Sequence, residues 1–259
     1  MRYSANLGFL FTELTLPRAI HAAKDAGFDA VECHFPYDVP AAEVAQALDE
    51  TGLTMLGLNT WPGDKAAGDF GLAAVPRREE EARAAIAQAV DYAVATGTGA
   101  VHVMAGRTDS GQAAEAAFRA NLTHACDLAA PHGITILIEP INTRDVQGYH
   151  LSGTDHAAAI IADLAKPNLK LMFDCYHMQI MQGDLFTHLR DLMPVIGHIQ
   201  IAAVPDRGEP DQGEVDYLWL MQEVDRMGYG AFVGAEYRPR SDTLQGLTWL
   251  DRFRTPVAG

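Results

Sequence analysis

Eight short apolar runs recur along the chain, each followed by an Ala-rich amphipathic stretch. The runs occupy residues 3–9, 29–34, 53–59, 100–106, 135–140, 169–174, 196–202 and 231–237. They repeat about every 30 residues, enough for one strand, one helix and two connections. The intervening stretches carry helix signals. "PRAIHAAKDAG" ends on Gly27, suited to a C-terminal cap. "EEEARAAIAQAVDYAVATG" opens with acidic residues, favourable to the helix dipole, and closes on Gly97. "SGTDHAAAIIADLA" offers Ser152 and Thr154 as N-caps.

Strand–helix alternation implies parallel strands joined by right-handed crossovers. Eight such units in 259 residues predict an α/β fold, a single (β/α)8 barrel occupying residues 1–259. A doubly wound open sheet is the rival, and it normally carries a Gly-rich phosphate turn after its first strand. "YSANLGFLFTEL" has no GxGxxG, and no Walker A motif occurs in the chain.

Active sites of such barrels form at the C-terminal ends of the strands. In the second half these ends are Glu139, Asp174, Gln200 and Glu236, at intervals of 35, 26 and 36 residues. Side chains alternate faces along a strand. If the four polar groups point inward, Ile136, Ile138, Leu171, Phe173, Ile199, Ile201, Val233 and Ala235 point out toward the helices, and His198 sits one layer below Gln200. One strand-terminal acid alone is ordinarily a helix N-cap or a solvated charge. Four in consecutive units argue for a built site.

Three converging carboxylates repel one another unless a positive charge lies among them. An all-oxygen set suits a hard divalent cation: Mg²⁺, Mn²⁺ or, with adjustment, Co²⁺. Zinc usually takes more His or Cys, and these strand ends supply neither. His177, three residues past Asp174, is expected over the substrate rather than on the metal. Arg207 lies in the loop "PDRGEPDQGE" after the seventh run, where a substrate carboxylate would find a clamp. His102 and His198 read as core or supporting histidines, and the nine Met as core filler.

The formal net charge of −15 argues against nucleic acid or anionic membrane as a partner, since both need basic patches. Cys33, Cys126 and Cys175 are odd in number and contain no CxxC pair. They read as reduced thiols in a cytoplasmic protein. Met1 leads into "RYSANLGF" without an apolar core, so no signal peptide is expected. No apolar run approaches the roughly 20 residues of a membrane span.

Longer motifs sharpen this reading. "RYSANLGFLF", "AGFDAVECHFPYD", "AAGDFGLAAVPRREEE", "LIEPIN", "GYHLSGT", "FDCYHMQIMQGDL", "GHIQIAAVPDRGEPDQGEVDY" and "GAEYRPR" run nearly end to end. Through them the chain resembles the hydroxypyruvate isomerase family, within the xylose-isomerase-like barrel group. The resemblance implies catalytic glutamates at Glu139 and Glu236, metal ligands at Glu139, Asp174, Gln200 and Glu236, and a substrate-side histidine at His177. Arg207 matches a basic residue that related ketose epimerases use on the substrate. Those epimerases typically place His where this chain has Gln200, which favours the isomerase branch.

The implied reaction interconverts hydroxypyruvate and 2-hydroxy-3-oxopropanoate through a cis-enediolate. A ketose 3-epimerase or a 2-oxo-tetronate isomerase would use the same site. A non-catalytic sugar-acid binding protein would more plausibly have lost one of the two glutamates. A phosphodiesterase of the apurinic-site type would need a His-rich zinc cluster and a basic groove. The group also makes a homo-oligomer plausible, though no residue of the chain argues for one.

Overall fold

The computed structural model describes residues 1–109 and 111–254. Eight strands alternate with helices. The first half contains β1 (Arg2–Asn6), α1 (Leu16–Asp25), β2 (Ala30–Glu32), α2 (Ala41–Thr51), β3 (Gly57–Asn59), α3 (Glu79–Thr96), β4 (Ala100–His102) and α4 (Gln112–Ala129). The second contains β5 (Thr135–Ile138), α5 (Thr154–Leu164), β6 (Leu169–Asp174), α6 (Cys175–Met181), α7 (Leu185–Leu192), β7 (Ile196–Ile201), α8 (Tyr217–Arg226), β8 (Phe232–Ala235) and α9 (Thr248–Arg254). All pairings are parallel, in the order β2-β1-β8-β7-β6-β5-β4-β3. A parallel bridge from Val31 to Met55 joins β2 to the β3 side. Cys33 N–H also donates to Gly57 at 3.1 Å. The sheet therefore closes on itself, as the alternation predicts.

Strand faces follow the expected parity. Ile136, Ile138, Leu171, Phe173, Ile199, Ile201, Val233 and Ala235 are fully buried in the main core, between sheet and helices. The inner face is sparser. Ala100, Leu137 and Met172 form a small separate cluster. With Gly57 and Gly197 nearby, the barrel interior keeps a cavity of about 360 Å³ that reaches His198 and Gln200. Gly234 is required here, because a Cβ would lie 2.1 Å from Glu32 Oε1.

Several strands are shorter than their apolar runs. Glu139 and Glu236 stand one residue beyond β5 and β8, and Asp174 is the last residue of β6. The sixth unit carries two helices, because Gly183 (φ +68°) and Asp184 (φ +44°) turn the chain between α6 and α7. Gly97 caps α3 in the left-handed conformation, as expected. α5 differs from the expectation. Its N-cap is Gly153, with no side-chain cap, and the Thr154 hydroxyl instead donates to Gln182 at 3.0 Å. In the last unit Trp249 is fully buried. Its ring meets Tyr3 edge-on at 5.4 Å, and its Nε1–H donates to Tyr237 at 3.1 Å. Cys33, Cys126 and Cys175 are free and buried. Among the described residues no helix is long and apolar enough to cross a membrane.

Candidate active site

The C-terminal ends of the strands surround a cavity of about 290 Å³. Glu139, Glu236, His177 and Arg207 line it. Asp174 is wholly buried beside them. Its Oδ1 caps α6 by accepting the Tyr176 N–H at 2.8 Å. Its Oδ2 lies 3.4 Å from an Arg207 nitrogen and 3.5 Å from His177 Nε2. One oxygen of Asp174 therefore caps a helix while the other faces Arg207 and His177.

Arg207 lies between two of the carboxylates. It also reaches Glu236 Oε1 at 3.1 Å. The strand ends supply no cation of their own, but the loop after β7 inserts one. Its backbone is left-handed (φ +57°), an uncommon conformation for a side-chain-bearing residue. Phe9 and Tyr176 flank the guanidinium at 5.0 and 4.9 Å. Arg207 Nε is buried without a partner.

The carboxylates sit in different fields. For Glu139, burial first, then the charges of Glu236 and Asp174, push the carboxyl well above its usual range. Burial pushes Asp174 up to about 7, with Arg207 opposing. Burial also works on Glu236, but the His34 hydrogen bond at 3.2 Å and Arg207 outweigh it and hold the carboxyl at about 2. The two glutamates that line the cavity are therefore held in opposite fields when no metal is bound.

His177 is oriented from behind. The backbone N–H of Asn142 donates to its Nδ1 at 3.3 Å, and the Asn142 side chain lies 2.7 Å away. A backbone N–H can only donate, so the neutral ring carries its proton on Nε2. Burial, aided by Arg207, keeps the ring neutral. The Nε2–H faces Asp174 at 3.5 Å and Glu139 at 3.7 Å. Glu139, Asp174 and His177 are close enough to share an ion, but in this tautomer Nε2 carries the proton and is not free to ligate one.

Gln200 lies level with Asp174 but below Glu236. It pairs in register with Asp174 and Gly234, two residues short of Glu236, and lines the interior cavity rather than the upper one. Its Nε2 donates to Glu32 at 2.9 Å, and His198 approaches the same oxygen at 3.0 Å. Ser4 holds the other Glu32 oxygen at 3.1 Å. Gln200 Oε1 and Glu139 Oε1 are buried with no hydrogen-bond partner. Such orphaned acceptors among three carboxylates fit a hard, oxygen-preferring cation.

Sequence reasoning passed over Glu32, His34 and Asn142. Glu32 and His34 share one parity in "DAVECH", so the face test applied to the later strands would have found them in the second. Asn142 lies in a loop and carries no such signal. A separate cluster lies outside the cavity. Glu115 accepts from Arg119 at 2.6 Å and contacts His150 and His156 at 3.0 and 2.9 Å. These contacts already satisfy its carboxylate.

Known proteins share this sequence pattern and fold. Residues 20–253 match the family model of the xylose isomerase-like TIM barrel. A 2-oxo-tetronate isomerase of Cupriavidus necator is 46% identical over 97% of this chain and 98% of its own. A hydroxypyruvate isomerase of Escherichia coli is 40% identical over 98% of this chain and 100% of its own. A crystal structure from Brucella melitensis, described as an AP endonuclease of family 2, superimposes with a TM-score of 0.94 at 40% identity, covering 98% and 99% of the two chains. The closed eight-stranded barrel and these end-to-end likenesses place the chain in the xylose isomerase-like TIM barrel family, among the hydroxypyruvate and 2-oxo-tetronate isomerases.

Proposed function

We propose that this protein is a metal-dependent isomerase of small hydroxy-oxo acids, interconverting hydroxypyruvate and 2-hydroxy-3-oxopropanoate. The observation that carries the reading is the pair Glu139 and Glu236, buried carboxylates from β5 and β8 strand ends that line one small cavity with His177 and Arg207. The cavity of about 290 Å³ suits a three- or four-carbon acid.

Glu139, Asp174, Gln200 and Glu236 would hold Mg²⁺, Mn²⁺ or Co²⁺. When bound, such an ion supplies an electrophile for the substrate's carbonyl and hydroxyl oxygens. One glutamate removes the proton from the hydroxyl-bearing carbon, giving a cis-enediolate. The other returns a proton to the neighbouring carbon, and the proton of the original hydroxyl passes to the former carbonyl oxygen, completing the isomerisation. His177 offers its Nε2–H on the side of Glu139 and Asp174. Arg207 offers the unpartnered Nε–H to a substrate oxygen.

A 2-oxo-tetronate isomerase using the same residues is the second reading, favoured by the relative of that name. The endonuclease description of the Brucella melitensis structure does not suit this chain. Its net charge of −15 opposes a DNA partner, and the cavity takes only a small molecule. The test is turnover of hydroxypyruvate, 2-oxo-tetronates and neutral ketoses with Mg²⁺ or Mn²⁺, before and after EDTA. Metal-dependent conversion of the acids is expected. Full activity in exhaustively metal-free protein would refute the metal role, and conversion of ketoses alone would refute the substrate class.

A further inference from the structure

The chain is strongly acidic, yet the exposed part of its cavity is basic. Three lining residues, Lys65, Arg107 and Arg238, are exposed to solvent, whereas Glu139, His177 and Glu236 are buried. The three cations therefore lie at the mouth. Each comes from a different connection, after β3, β4 and β8.

Each also rests against an aromatic ring. Lys65 Nζ sits 4.5 Å from the Phe35 ring centre. Arg107 lies 5.7 Å from Phe70, and its Nη1 donates to the Gly68 carbonyl at 3.3 Å. Arg238 lies 5.4 Å from Phe9, and its backbone N–H donates to Arg207 at 2.7 Å. The rings, and for Arg107 the Gly68 carbonyl, contact the side chains without neutralising them. Among the described residues none of the three is paired with a carboxylate. Arg207 differs, because its charge already faces Asp174 and Glu236. Asp145, the exposed acid of the lining, is held by the Tyr176 hydroxyl at 2.8 Å and the Asn142 amide at 3.1 Å.

Unpaired surface cations are unremarkable one at a time. Three around one opening, in a chain with 34 acidic and 19 basic residues, make a local field that attracts anions. A carboxylate meeting these donors forms charge-assisted hydrogen bonds that a neutral sugar cannot. We propose that Lys65, Arg107 and Arg238 form a carboxylate-capturing rim that selects anionic hydroxy-oxo acids over neutral ketoses. The rim holds the substrate's carboxylate at the mouth and leaves its two reacting carbons to the glutamates below. The proposal rests on the reaction class argued above and adds the residues that set its specificity.

The test separates the two. L-Lactate is a 2-hydroxy acid without a carbonyl, so it cannot isomerise, and its binding to Mn²⁺-treated protein is measured by titration. Dihydroxyacetone serves as the neutral counterpart. Lys65→Ala, Arg107→Ala and Arg238→Ala should each weaken lactate binding roughly tenfold, the weight of one charge-assisted hydrogen bond. Lys65→Arg, which keeps the charge, should recover most of the loss. Dihydroxyacetone binding should move less than about twofold, and added salt should weaken lactate in the wild type more than in the triple variant. Circular dichroism checks that each variant folds. Unchanged lactate affinity in the triple variant, or an equal loss for dihydroxyacetone, would overturn the rim. Loss of hydroxypyruvate turnover with the lactate pattern intact would overturn the assigned reaction and leave the rim standing.

Discussion

Gln200 donates its side-chain amide to Glu32 at 2.9 Å, across 168 residues of sequence. That bond sets which end of the amide is free. The nitrogen faces Glu32, and the oxygen is left as a buried acceptor without a partner. Glu32 is itself fixed by Ser4 and His198.

Glu32→Ala removes this acceptor, and with it the orientation, without removing a proposed ligand. Outer groups of this kind typically change metal affinity by roughly 10- to 100-fold. Calorimetric titration with Mn²⁺ should show a loss in that range, with much of kcat recovered at saturating metal. Unchanged affinity would mean that Gln200 is not a ligand or does not need Glu32.

Glu139→Gln and Glu236→Gln should each lower kcat by at least roughly 10²-fold, the usual cost of losing a general acid or base. Both residues also belong to the proposed ligand set, so the double variant should fall short of the product of the two losses. Circular dichroism should show the barrel intact. A single variant retaining more than half its activity would remove that glutamate from proton transfer.

Metal-free protein should lose stability as pH rises from about 6.5 to 8. Asp174 is raised to about 7 and Glu139 is raised well above its usual range, so the folded state keeps protons that the unfolded chain has released. Raised acids stabilise the fold below their unfolded pKa values, and this contribution fades as pH passes the folded ones. His102 and His177, both lowered, oppose this near pH 6.5, where the unfolded imidazoles still hold protons, and cease to contribute as pH rises further. His198, raised by Glu32 against its own burial, adds the same sign as the two carboxyls. The slope should reach at most about 1.4 kcal/mol per pH unit for each proton. Saturating Mn²⁺ should flatten it, because bound carboxylates stay ionised. Thermal melts across this range, with and without Mn²⁺, provide the measurement.

Turnover in D₂O distinguishes proton transfer from a hydride shift. A proton held on Glu139 or Glu236 can exchange with solvent before its return, whereas hydride passes directly between carbons. Deuterium should appear on carbon in the product, read by proton NMR after subtracting uncatalysed exchange. Full retention of the substrate hydrogen over many turnovers would leave the glutamates as ligands only.

Much of the barrel was legible because its outward strand residues must be apolar to meet the helices. Ile136, Ile138, Ile199 and Ile201 therefore disclose which neighbours point inward. Glu139, Asp174 and Glu236 stand out against that pattern. Strand ends were read too long, since apolar character continues past the last ladder hydrogen bond, as in "LIEP" after Ile138. The cations were harder to place. Arg207 reaches Asp174 and Glu236 through a left-handed loop residue, and Lys65, Arg107 and Arg238 meet only where three connections converge. Nothing periodic marks such positions. His177 was expected to lean over substrate, but its tautomer depends on a backbone N–H from another loop, which no local pattern encodes.

The burial of Trp249 gives the molecule a built-in optical contrast. It is fully enclosed, whereas Trp61 is 44% exposed and Trp219 48% exposed. Emission from the enclosed indole reports whether the last helix stays seated against the barrel. Trp61 stands just after β3, in the same connection as Lys65. Its fluorescence can change when the cavity fills while the buried signal holds steady, so one spectrum can separate ligand capture from unfolding.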